Sequence, residues 1–117
     1  MSNESEITPV NDDGYRNISS EKLMEIITCK DFVLINVHIP YEGEIDGTDL
    51  LIPYNNILNK LDKLPQDKTS KIIIYCKRGI NSVKTSKKLV QMGYTNIINL
   101  TGGMNNWKEN GFKIIKK

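Results

Sequence analysis

Cys76, Cys29 and His38 are the side chains of this sequence best suited to nucleophilic or acid–base chemistry, and Cys76 has the setting that would make it reactive. It lies in the stretch Ile72–Ser82, IIIYCKRGINS. Ile72, Ile73, Ile74 and Tyr75 read as a strand buried on both faces. Cys76 stands at its carboxyl end. Lys77, Arg78, Gly79, Ile80 and Asn81 form a short polar loop, and Ser82 opens a helix expected over 83–92. Ligands of open α/β sheets bind at this end of the strands. Loop N–H groups and a helix N-terminus favour an anion there. They therefore favour the thiolate, the reactive form of a cysteine. Lys77 and Arg78 add positive charge beside it. The competing reading is a small apolar cysteine that only packs. The loop position and the basic flanks argue for chemistry.

The other candidates are weaker. His38 is the sole histidine, in the loop His38–Gly47, HIPYEGEIDG. That loop follows the second expected strand, so it can lie near Cys76. His38 is either an acid or base or a structural residue. Cys29, near the end of the first helix, reads as packing, with a resolving thiol as the alternative. Glu42, Glu44, Asp46 and Asp49 read as a solvated acidic loop rather than a metal site. No metal and no cofactor is expected.

The elements that must position Cys76 follow from pattern. Residues 1–14 read as a polar, disordered tail and 15–117 as one domain. Tyr15–Ile18 reads as an edge strand. Ser19 then caps a helix whose apolar face holds Leu23, Ile26 and Ile27. Phe32–Val37 reads as a central strand and Leu50–Ile52 as a short one ended by Pro53. A helix bearing Ile57, Leu58, Leu61 and Leu64 stops at Pro65. After the cysteine loop, Val83, Leu89, Val90 and Met92 supply a buried helical face, and Gly93 ends it. Asn96–Leu100 is another strand. Thr101-Gly102-Gly103 turns into a last helix with Met104 and Trp107. Strands alternate with helices, which predicts an α/β fold: a central, mostly parallel sheet of about five strands with helices on both faces.

Composition narrows the function. The chain is 117 residues long, 38% hydrophobic and 26% charged, as expected of one globular domain. Two cysteines are too few for a disulfide framework. The N-terminal stretch has neither the basic start nor the apolar run of a signal peptide, and no apolar run is long enough to span a bilayer. The expected location is the cytoplasm, with no membrane partner. Net charge is only +2, yet residues 71–117 hold ten bases and one acid, Glu109, against six bases and thirteen acids before them. The half with Cys76 should attract anions and acidic partners. No nucleic-acid motif is visible, so nucleic acid is not expected as a partner.

The last third of the chain resembles single-domain rhodanese-homology (thiosulfate sulfurtransferase-like) proteins. The C-x-x-G-x-x-S loop matches at Cys76, Gly79 and Ser82. L-x-x-x-G-Y-x-N-[IV] matches at Leu89, Gly93, Tyr94, Asn96 and Ile97, and G-G-[MI]-x-x-W at Gly102, Gly103, Met104 and Trp107. The L-I-D-V-R pattern appears as Leu34-Ile35-Asn36-Val37-His38, with Asn36 and His38 replacing the usual Asp and Arg. The resemblance covers about residues 15–117.

It implies a rhodanese-like three-layer fold and a Cys76 that becomes a persulfide. The sulfur would come from a small anionic donor such as thiosulfate, or from a persulfide. It would pass to a thiol, a protein or cyanide. The N–H groups from Lys77 to Ser82 would surround the extra sulfur, and Lys77 and Arg78 would favour a dianionic donor. Ser82 would hydrogen-bond the thiolate or cap the helix. Asn81 stands where many relatives carry Arg. A related phosphatase group uses C-x5-R, but the sixth residue after Cys76 is Ser82, so the phosphate-clamping arginine is missing. A sulfur carrier between proteins, and a redox-sensing or binding module, remain as alternatives to the enzyme.

Overall fold

The computed structural model describes residues 7–117. The β-branched runs form five parallel strands: β1 (Arg16–Ile18), β2 (Val33–Asn36), β3 (Leu50–Leu51), β4 (Ile72–Tyr75) and β5 (Ile97–Leu100). Their order across the sheet is β1-β5-β4-β2-β3. β4 is thus the middle strand, and all four of its residues are buried. Its register is fixed on both sides, with Ile72 opposite Val33 and Ile97. This is why the run from Ile72 to Tyr75 shows no polar alternation.

Successive side chains of β4 serve opposite faces. Ile72, Ile74 and Cys76 pack with Ile35, Val37, Leu89 and Ile97. Ile73 and Tyr75 pack with Ile18, Leu34, Ile98 and Leu100. The first face is covered by α2 (Ile80–Gln91) and by a 3-10 segment, Tyr54–Lys63, through Leu89, Ile57 and Leu61. The second is covered by α1 (Ser20–Ile26) and α3 (Gly103–Glu109), through Leu23, Met104 and Trp107. The three-layer fold expected from the sequence is present.

Four local expectations need correction. The helix expected before Pro65 is a 3-10 segment, with non-helical backbone at Lys60. α2 begins at Ile80, because Gly79 adopts a φ of 95° and ends the loop as its N-cap. Ile80 and Asn81 therefore belong to the helix, and Ser82 is its third residue rather than its cap. Cys29 is exposed instead of packed: Leu23, Ile26 and Ile27 face the core, and the chain turns outward in a 3-10 turn over Ile27–Cys29. Finally, the second half of the expected tail is held to the sheet edge. Ile7 bridges Ile18, and Thr8 exchanges hydrogen bonds with Asn17. Residues 1–6 lie outside the described residues.

Ser19 caps α1 as its sequence suggests, its hydroxyl accepting the Lys22 N–H at 3.0 Å. The chain's end is tied back by paired backbone bonds between Ile115 and Glu44. Among the described residues, no helix is long and apolar enough to cross a membrane.

Candidate active site

The site is built where β4 ends. Cys76 is 1% exposed. Its Sγ accepts the N–H of Gly79 at 3.0 Å and that of Ser82 at 3.4 Å. The chain curls around the sulfur because Gly79 supplies the left-handed turn; a Cβ there would meet Gly102 N at 3.2 Å. The Ser82 N–H lies in the first turn of α2, where backbone donors have no intrahelical acceptor. The helix N-terminus is thus aimed at the sulfur, and its dipole favours negative charge there.

A buried polar chain runs on from the sulfur. The thiol of Cys76 donates to Ser82 Oγ at 3.5 Å, and that hydroxyl donates to Asn99 Oδ1 at 2.5 Å. The Asn99 amide donates in turn to Asn17 Oδ1 at 2.9 Å. The chain crosses from α2 to β5 and out to β1. Each polar atom is paired, as burial demands.

The loop is pinned from the other side. Gly103 has φ 60°, and a Cβ there would lie 2.4 Å from the carbonyl oxygen of Cys76. Without one, the N-terminus of α3 approaches closely. Met104 N–H donates to the Cys76 carbonyl and Asn105 N–H to the Lys77 carbonyl, both at 2.9 Å. The double glycine and the cysteine loop are therefore one structural unit.

The outer wall is charged. Cys76, Lys77, Arg78, Ile80 and Asn81 line a cleft of about 570 Å³ together with His38, Glu42 and Asn105. Lys77 Nζ lies 2.9 Å from Glu42 Oε1, and His38 Nε2 lies 2.7 Å from Glu42 Oε2. A carboxylate only accepts, so His38 donates here. The bond from His38, and then that from Lys77, holds the Glu42 carboxyl down at about 2. Asn36 shapes this loop: it accepts the His38 N–H at 2.9 Å and donates to the Gly43 carbonyl at 3.1 Å. The remaining acids point elsewhere. Glu44 takes the Tyr41 hydroxyl and Lys117, and Asp49 takes the Leu34 N–H and Lys30.

All six residues from Lys77 to Ser82 thus gather around Cys76, and His38 joins them. Cys29 does not. Asn99 and Asn105 have no role in the sequence reading, and Glu42 reads there only as part of a solvated acidic loop. Glu42 carried a signal, the only acid placed four residues after the only histidine; Asn99 and Asn105 carried none.

The chain as a whole is similar to known proteins. The rhodanese-like domain pattern matches residues 19–110. A sulfurtransferase of Allochromatium vinosum is 30% identical over 102 residues, covering 84% of this chain and 92% of that one. The thiosulfate sulfurtransferase GlpE of Coxiella burnetii is 28% identical over 96 residues, 80% of this chain and 88% of that one. The crystal structure of a rhodanese-related protein from Thermoplasma volcanium superposes with a TM-score of 0.74 at 26% identity, covering 86% of this chain and 98% of that one. The chain belongs to the rhodanese-like domain family.

Proposed function

We propose that this protein is a sulfurtransferase in which Cys76 carries the sulfur. The Cys76 thiolate attacks the outer sulfur of thiosulfate or of a persulfide. A new S–S bond forms, the donor's S–S bond breaks, and sulfite or a thiolate leaves with the electron pair. A thiol, a protein thiol or cyanide then attacks the outer sulfur of the Cys76 persulfide and restores the thiolate. The observation that carries this reading is the pair of N–H donors from Gly79 and Ser82 on a sulfur that lines an open cleft. Such preset donors stabilise charge without reorganising. The relatives named as sulfurtransferases support the same reaction class. Lys77, Arg78, Ile80 and Asn81 form the donor-binding rim.

A second reading, delivery between proteins, draws on one feature of that rim. Ile80 is 55% exposed at the mouth of the cleft, where a docked protein would bury it and an inorganic anion would not.

Intact-mass measurement after treatment with thiosulfate, or with a small persulfide, tests the assignment. Wild type and Cys29→Ser should each gain one sulfur, and Cys76→Ser none. A sulfur on Cys76→Ser, or none on Cys29→Ser, sinks it.

A further inference from the structure

The rim of the cleft carries three ionic groups with different partners. Arg78 is exposed and, among the described residues, forms no ion pair. Lys77 is bound to Glu42. Glu42 has both carboxylate oxygens engaged, one by Lys77 and one by His38. Two partners hold the carboxylate at a fixed place on the cleft wall, where a single exposed ion pair would leave it free to swing away.

The consequence is electrostatic. The basic pair beside Cys76 does not act as two free cations, since Glu42 cancels the first of them. The approaching donor also meets the negative charge of a thiolate. A fixed carboxylate repels a dianion twice as strongly as a monoanion at the same place, and a neutral molecule not at all. Without Glu42 the cleft would carry an extra positive charge and would suit an inorganic dianion. With it, the rim keeps one net positive charge, that of Arg78, which the thiolate offsets.

We propose that Glu42, fixed by His38 and Lys77, selects the donor by charge: it disfavours dianions such as thiosulfate relative to persulfides of low molecular weight that carry at most one negative charge. The inference rests on the reading that Cys76 takes the sulfur, and it names the donor class for that step. It also gives His38 a task that is neither acid nor base. His38 is a positioning residue, acting on the donor through Glu42.

The test measures second-order rates of persulfide formation on Cys76 by intact mass. The donors are thiosulfate, a dianion, and the persulfide of N-acetylcysteine methyl ester, whose only ionisable group is the persulfide itself. The proteins are wild type, Glu42→Gln and Lys77→Gln, each first shown by thermal melting to be folded. The quantity read is the ratio of the two rates, thiosulfate over the persulfide. Glu42→Gln should raise it about fivefold, in keeping with the modest strength of exposed charges. Lys77→Gln leaves Glu42 uncompensated and should lower it by a similar factor. Both shifts should shrink at high salt, because the groups are solvent-facing. A ratio that stays within about twofold in both variants, or moves the same way in both, overturns the proposal. Failure of the underlying reading looks different: wild-type Cys76 then gains no sulfur from either donor.

Discussion

The inner and outer walls of the Cys76 cleft are built from different materials. The inner wall is backbone and neutral polar groups: the Gly79 and Ser82 N–H groups, the Ser82 hydroxyl, Asn99, and the glycine pair of α3. Its side chains, Ser82 and Asn99, are buried and hydrogen-bonded. The outer wall is charged and half-exposed: His38, Glu42, Lys77 and Arg78. Burial makes the first wall costly to alter, since an unpaired buried group loses its solvation outright. Exposure makes the second cheap to alter, since water and salt screen it. The division suits a reaction whose nucleophile stays the same while its donors differ. On the reading proposed above, the inner wall holds the sulfur and the outer wall chooses what reaches it.

The contrast breaks most severely at Gly103. Gly103→Ala forces a Cβ against the Cys76 carbonyl and strains a positive-φ residue. The expected cost is about 2–4 kcal/mol. Denaturant melts should show it, with sulfur loading lost in parallel. A stable, fully active Gly103→Ala would show that α3 does not pin the loop.

A smaller loss is expected one step further along the buried chain. Asn99→Leu strands the Ser82 hydroxyl and removes the donor to Asn17. About 1–3 kcal/mol of stability should go. The rate of Cys76 alkylation by iodoacetamide at neutral pH should change too, since the group hydrogen-bonded to Sγ is freed to turn. An unchanged alkylation rate in a destabilised variant would confine Asn99 to structure.

On the outer wall effects fall to rates alone. Arg78→Ala should leave the melting point within a degree or two and slow loading from thiosulfate about threefold, as one exposed charge would. Equal slowing with the less charged persulfide would assign Arg78 a role in loop shape.

The smallest effect is one of pH. An unpartnered glutamate ionises near 4.5, whereas Glu42 in the fold does so at about 2. A lowered value means that the folded state favours the charged form. The clamp's contribution is complete above the ordinary carboxyl range, and it fades as pH falls toward 2. The Glu42 carboxyl carbon shift should therefore move little between pH 5 and pH 3, where a free glutamate titrates. In His38→Ala, Lys77→Gln it should titrate in the ordinary range. Ordinary titration in wild type would mean that the clamp is open in solution.

The two walls also differ in how well the sequence reveals them. The strand Ile72–Tyr75 needs no partner to be recognised, because four apolar residues in a row can only be buried. The loop after it is equally local. What a linear pattern misses is whatever joins distant segments. Glu42 meets Lys77 across 35 positions of sequence, so Lys77 reads as a free cation until the two loops are folded together. Asn99 looks like one more residue of a buried strand, and its role depends on Ser82, 17 positions earlier. The start of α2 escapes the sequence for a different reason. Ser82 is a good cap by type, but Gly79, with its positive φ, had already turned the chain.

One feature of the sheet bears on how the molecule comes into being. β1 and β5 are edge neighbours in the fold, yet Asn17 and Asn99 stand 82 residues apart in the chain. Contacts of such range form slowly, because a long loop must close first. A ribosome must release β5 before β1 has a partner. A nascent chain can draw β2, β3 and β4 together earlier, but it then presents a cysteine whose supporting chain stops at Ser82. The full support of Cys76 is thus complete only once β5 has been made and has paired with β1. Thiol-directed labelling of stalled nascent chains would date the closing of the sheet.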